Sequence, residues 1–235
     1  MPFGTRFGRV RYAQKEEVAD DYDAQHPQPH KGLALPILVC GKVRAGKGSL
    51  TLVMSGRFFG GPALRDESCS RRCTINGYDV MLNIFSSTSG CRKFMALTAP
   101  FIQTAKETSA FMFVYSVMDR SCFEFVYRSH WALIKRIKNG QPFSAVLVGN
   151  KSDVDKHVHK ARKRQVSSRE GAALARQMSA ELGREVLFLE TSAKLNDNVT
   201  TAFAGLAYAE MQRRGIFDPE PPPKPRSFYD YCVLS

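Results

Sequence analysis

Apolar residues along this chain follow two different periods, and the places where one gives way to the other mark its elements. "LALPILVC" at 33–40 is a short continuous apolar run that empties into Gly41, the pattern of a buried strand ending in a loop, and a helix is predicted after that loop. "AFMFVYSV" (110–117) and "FSAVLVGN" (143–150) are nearly continuous apolar runs, which suits parallel strands covered on both faces. Between them "FEFVYRSHWALIKRIKNG" has helical spacing, with a stop predicted at its glycine. In "SRRCTINGYDVMLNIF" the pair Asn76-Gly77 separates two strand-like runs, the strongest short-range hairpin signal, so one antiparallel partner is built in. Ser167 and Glu170 have the spacing of a capping box that opens "SREGAALARQMSAEL", Gly183 is predicted to end that helix, and "VLFLE" is a last strand. A final helix places Val199, Ala202, Phe203 and Leu206 on one face and stops at Gly215. The alternation predicts an α/β fold: a mostly parallel sheet of about six strands, one antiparallel, flanked by helices.

The ends read differently. Residues 1–32 mix Arg6, Arg9 and Arg11 with an acidic stretch and show no sustained apolar period, so they are expected to be a flexible extension. Residues 215–235, with "PEPPPKP", are expected to be an extended Pro-rich tail, which leaves 33–214 as the folded domain.

Composition narrows the classes of function. With 43% hydrophobic and 24% charged residues among 235, the chain supports one well-buried domain. A net charge of +12 permits attraction to phosphates, nucleic acid or an anionic membrane without choosing among them. The six cysteines lack the paired short spacings of a zinc site and no signal-peptide pattern opens the sequence, so free thiols in a reducing cytosol are expected. No apolar run reaches the roughly 20 residues of a membrane-spanning helix, so any membrane association is by attachment.

The chemistry gathers in loops that follow predicted strands. "GKVRAGKGS" (41–49) is close to the phosphate-binding pattern Gly-x-x-x-x-Gly-Lys-Ser/Thr: backbone N–H groups and a helix N-terminus would face an anion, Gly46 would allow close approach and Lys47 would add a charge. The pattern breaks at its last place, where Gly48 stands and Ser49 comes one residue late. "GNKSD" (149–153) and "ETSAK" (190–194) each follow a strand-like run, at the sheet edge where α/β folds bind ligands.

With these three motifs in this order, residues 33–214 resemble the Ras family of small GTPases, which implies the P-loop type of α/β fold, GTP or GDP as ligand and a bound Mg2+. The resemblance implies phosphate contacts from Gly41, Arg44, Ala45, Gly46, Lys47, Gly48, Ser49 and Gly90. It also implies guanine recognition by Asn150, Lys151, Asp153, Ser192, Ala193 and Lys194, with the Asp153 carboxylate accepting two guanine N–H groups and the Ala193 N–H donating to the base oxygen. The terminal "CVLS" resembles a Cys-aliphatic-aliphatic-X box, which implies farnesylation of Cys232 and residence on the cytoplasmic face of a membrane, with the plasma membrane expected.

The departures from the family pattern fall on one half of the site. Gly48 replaces the hydroxyl that ligates Mg2+, leaving Ser49, turned by roughly 100° on the helix, as the candidate metal ligand. "FFGGPALRDES" (58–68) has no Thr for the first switch. In "SSTSGC" (86–91), Ser87 replaces the Asp and Cys91 the Gln that orients the attacking water, so no catalytic residue is assigned. Val43 and Arg44 stand where the family keeps glycines. The expectation is a guanine-nucleotide-binding, membrane-attached signalling protein with weakened Mg2+ binding and slow or absent hydrolysis; the alternative is a membrane-recruited interaction module independent of GTP cycling. Nucleic acid is not an expected partner, since RNA-binding aromatic motifs are missing. The basic run "KHVHKARKR" (156–164) is either a solvated loop or a lipid-facing patch.

Overall fold

The computed structural model describes residues 32–60, 68–86, 99–156 and 163–216, together with the backbone of 232–233. Within these, strands β1 (Leu33–Cys40), β2 (Ser68–Ile75), β3 (Tyr78–Ser86), β4 (Ala110–Ser116), β5 (Ser144–Asn150) and β6 (Leu187–Thr191) form one sheet in the order β6-β5-β4-β1-β3-β2. The β1–β3, β1–β4, β4–β5 and β5–β6 pairs are parallel and β2–β3 is antiparallel. The hairpin turn sits at Asn76-Gly77, both with positive φ (50° and 80°), as a two-residue turn of the primed type requires. The tail adds something the Pro-rich composition did not predict. Cys232 and Val233 pair antiparallel with Ile75 and Thr74 as a two-residue strand β7 on the outer edge of β2.

Strand alternation divides the core in two. Leu35, Ile37 and Val39 of β1, with Met112 and Val114 of β4, face helices α1 (Lys47–Met54) and α6 (Val199–Arg213), whose Leu50, Phe203 and Leu206 are buried against them. On the other face Leu38, Phe111, Phe113 and Leu147 meet α2 (Ala99–Glu107), α5 (Ser168–Leu182) and the helical stretch after β4. There the Trp131 ring meets Phe113 edge to face at 5.4 Å between centroids, an arrangement worth about 1 kcal/mol beyond its buried area.

That helical stretch is not uniform. It runs as α3 (Arg120–Phe125), a π-helical turn (Val126–Trp131) and α4 (Ala132–Lys138). A π turn inserts one residue into the helical register, which the apolar spacing alone did not predict. It buries both His130 and Trp131, and the Trp131 indole N–H donates to Glu181 of α5 at 2.8 Å. The helix ends one residue before the predicted glycine, at Asn139 (φ 44°), with Gly140 following. The capping box at Ser167–Glu170 and the left-handed Gly183 after α5 form as the sequence predicts.

Candidate nucleotide-binding site

Because β1, β5 and β6 are parallel, the loops after them emerge at one edge of the sheet. β1 has β3 on one side and β4 on the other, so the loop at 41–46 lies where the strand order turns, the place where open α/β sheets take ligands. A pocket of about 450 Å3 lies there, lined by Arg44, Gly46, Ser49, Phe59, Met118, Asn150, Lys151, Asp153, Val154, Ala193 and Lys194. Residues separated by more than 100 positions thus meet around one cavity.

The 41–46 loop is held by contacts that tolerate little substitution. An added Cβ on Gly41 would lie 2.2 Å from the carbonyl oxygen of Val114, and one on Gly46 would lie 2.1 Å from Nδ2 of Asn150. Gly46 also has φ 100°, which disfavours any side chain. Lys47, buried at the start of α1, donates from Nζ to the carbonyls of Gly41 (2.7 Å) and Lys42 (3.1 Å), so its ammonium closes the loop on itself. On the far side Lys42 Nζ donates to Ser121 Oγ (2.8 Å), and Ser121 donates to Asp119 (2.6 Å). That bond first, together with those from Cys122, holds the Asp119 carboxyl down at about 2, and Asp119 caps α3.

Asn150 is the strut of the site. Fully buried at the end of β5, it donates from Nδ2 to the Ala45 carbonyl (3.0 Å) and accepts through Oδ1 from Thr191 Oγ1 (3.2 Å) and the Ala193 N–H (3.4 Å). It therefore joins the phosphate-type loop to the loop after β6. The next residue, Lys151, has φ 69° and donates from Nζ to the Arg44 carbonyl (2.7 Å), and Arg44 itself has φ 67°. Asp153 accepts from Ser192 Oγ through Oδ1 (2.8 Å), which fixes the carboxylate at the pocket wall.

Arg164 holds these loops from behind. It pairs with Asp155, just after "GNKSD", and with Glu190, which opens "ETSAK", at 2.6 Å. This corrects one sequence expectation: the residue ending the basic run is engaged in an internal ion-pair bridge and is not a free charge for a membrane. His157 to Arg162 of that run lie outside the described residues, as do Ser87, Gly90 and Cys91. Phe59, Met118 and Val154 line the pocket and were missed by sequence reasoning; Phe59 is the one that carried a signal. Its signal was the aromatic pair Phe58-Phe59 after α1, and both rings are exposed.

Oxygen ligands for a divalent cation are scarce among the described residues. Gly48 offers no side chain, Asn150 Oδ1 and Asp153 Oδ1 already accept from protein donors, and among the described residues no cluster of three His, Cys, Asp or Glu could hold a metal. Ser49, the candidate metal ligand named from the sequence, does line the pocket. The described residues do not fit a Mg2+ site of the kind the resemblance implied.

Comparison with known proteins agrees with this layout. A model of the Ras family matches residues 36–212. The chain is 32% identical to the Ras-like protein RAS2 of Hydra vulgaris over 74% of its own length and 82% of that protein's. It is also 32% identical to protein ras-1 of Neurospora crassa (72% and 73%) and 31% identical to the Ras-like protein rasS of Dictyostelium discoideum (71% and 78%). On its fold, the loops meeting at the carboxyl edge of its sheet and these matches, the chain belongs to the Ras family.

Proposed function

We propose that this protein binds guanine nucleotides in the pocket between β1, β5 and β6 and acts as a membrane-attached signalling protein that hydrolyses GTP slowly or not at all. Guanine-nucleotide binding follows from family membership; slow hydrolysis and attachment are readings of this chain's own residues. The observation that carries the proposal is the asymmetry of the pocket. Its base-recognition end keeps the residues the family motif calls for, with Asp153, Lys151, Ala193 and Lys194 among those lining the pocket and the exposed Phe59 ring available to cover a planar base. Its phosphate loop keeps Lys47 and Gly46 but carries an exposed Val43 and has Gly48 in place of a hydroxyl. Ser87 and Cys91 stand where the family places the groups that act on the water, and catalytic groups acting as a unit are not restored one at a time. The test is the nucleotide that co-purifies with the protein, and its fate over hours.

Weak dependence on Mg2+ is part of the same reading. A Cβ built on Gly48 meets nothing within 4 Å, so Gly48→Ser is accommodated without repacking. The variant should gain about 0.5 kcal/mol in helix propensity and a first oxygen ligand. Chelator should then speed GDP release from Gly48→Ser by about tenfold while leaving wild-type release nearly unchanged; stopped-flow release of a fluorescent GDP reads both. Equal responses of the two proteins would refute the assignment.

Attachment rests on Cys232. No described helix is long and apolar enough to cross a membrane. A prenyl chain contributes about 0.8 kcal/mol per buried CH2, and one chain gives reversible binding, so a second contact is needed. Lys160, Arg162 and Lys163 are the candidates, at about 1 kcal/mol each near an anionic surface; Arg164 is omitted because it is bound to Asp155 and Glu190. Cys232→Ser should move the protein from the membrane to the soluble fraction on sedimentation of cell extracts. Neutralising the three cations should weaken attachment in a salt-sensitive way. Full membrane partitioning of Cys232→Ser would remove the lipid from the account.

A further inference from the structure

The loop side of the pocket carries cations and, among the described residues, few metal ligands. Arg44 lines the pocket as an exposed side chain, Lys151 Nζ holds the Arg44 carbonyl from the base-recognition wall, and Lys47 lies beneath the loop. Asp153 is the one acid among the lining residues. A nucleoside diphosphate or triphosphate brings several negative charges, which a divalent ion usually offsets; where the described residues offer that ion few oxygen ligands, the protein's own cations can do so.

Arg44 is the residue whose conformation needs explaining. It occupies the left-handed region at φ 67°, where a side chain is disfavoured and glycine is at ease. Such a conformation persists where the surroundings over-determine it, and it concentrates at ligand sites. Here the surroundings are visible: the Arg44 carbonyl accepts from Lys151 Nζ, and this peptide is followed by Ala45, whose carbonyl is held by Asn150. The backbone is pinned on both sides while the guanidinium makes no hydrogen bond or ion pair among the described residues. A long cation is thereby held at the wall of the cavity, which Gly46 and Ser49 of the same segment also line. Guanidinium is suited to two phosphate oxygens at once, and it keeps its charge at any pH the fold survives.

We infer that Arg44 takes the electrostatic role of the divalent cation, so that the pocket binds the polyphosphate of a guanine nucleotide in its metal-free form. The inference rests on the guanine-nucleotide reading above and specifies the form of the ligand. Arg44 is a binding residue here; it carries no step of hydrolysis. A planar donor fork offsets phosphate charge but does not generate a nucleophile from water, which agrees with a site that holds nucleotide without turning it over.

The experiment uses the full chain, stripped of nucleotide, with GDP and guanosine as probes in the presence of EDTA. Arg44→Gln removes the charge, and Arg44→Gly removes it while relieving the left-handed strain, so the second variant keeps the fold. Both should bind guanosine as the wild type does but lose at least about tenfold in metal-free GDP affinity, as loss of a charge-assisted pair implies. Arg44→Lys, which keeps a point charge without the fork, should fall between. A merely structural role for Arg44 would move guanosine and GDP together. The inference is overturned if the ratio of GDP to guanosine affinity is the same in wild type and Arg44→Gly, or if EDTA alone releases GDP from the wild type about a hundredfold faster. If the wild type binds neither guanosine nor GDP, the guanine-nucleotide reading itself fails, an outcome distinct from the other two.

Discussion

Asp153→Asn is expected to convert the protein from a guanine binder to a xanthine binder. In the wild type Oδ1 of Asp153 is anchored by Ser192 Oγ at 2.8 Å, so the carboxylate presents only acceptors to the pocket. Guanine offers two N–H donors on one edge, whereas adenine offers no such pair and xanthine has a carbonyl in place of the amino group. Asparagine keeps the Ser192 bond through its amide oxygen and turns its NH2 toward the base. Two charge-assisted hydrogen bonds of about 1.5–3 kcal/mol each are then lost, and a donor meets a donor. GDP affinity should fall by about 10²–10⁴-fold, with xanthosine diphosphate bound more tightly than GDP in a competition titration. If wild-type protein binds ADP and GDP equally, or if Asp153→Asn leaves the order of purines unchanged, the pocket does not read the base in this way.

Asn150→Ala should cost stability even without ligand. The side chain, itself buried, satisfies the Ala45 carbonyl, the Thr191 hydroxyl and the Ala193 N–H. Its removal leaves three polar groups to find other partners, at about 1 kcal/mol or more each, so a loss of ~3 kcal/mol is expected. For a domain of this size that lowers the thermal midpoint by roughly 6–12 °C. Asn150→Asp discriminates between lost size and lost donor: it fits the same space but sets a carboxylate against the Ala45 carbonyl, so it should be at least as damaging. A midpoint for Asn150→Ala within about 2 °C of wild type would mean that the loops are held by their own backbone contacts.

The strands were legible because burial on both faces writes itself as continuous apolar runs, and the hairpin because Asn76-Gly77 supplies the two positive φ values the turn needs. The three loop motifs were legible for a similar local reason. Other features lay beyond a single-sequence reading. The π turn at Val126–Trp131 shifts the register by one residue, and apolar spacing is too coarse to register such a change. Asn150 reads in sequence as a base contact; its partner Ala45 is 105 positions away, and the strut exists only once β1 and β5 are brought to one edge. Arg164 looked like one more surface cation, and its bridge between Asp155 and Glu190 is equally non-local. Phe59 gave a signal, an aromatic beside the loop after α1, but nothing in its neighbours said that it would line the cavity.

The central claim is that this Ras-family pocket holds guanine nucleotide without turning it over. The most direct measurement is single-turnover: load the full chain with GTP, remove free nucleotide, and follow the bound nucleotide by chromatography over several hours. The account predicts that guanine nucleotide stays bound and that GTP is recovered almost entirely unhydrolysed. Conversion of most of the bound GTP to GDP within that time would contradict it and make the protein an ordinary cycling switch. Failure to retain any nucleotide would instead favour an interaction module that works without one.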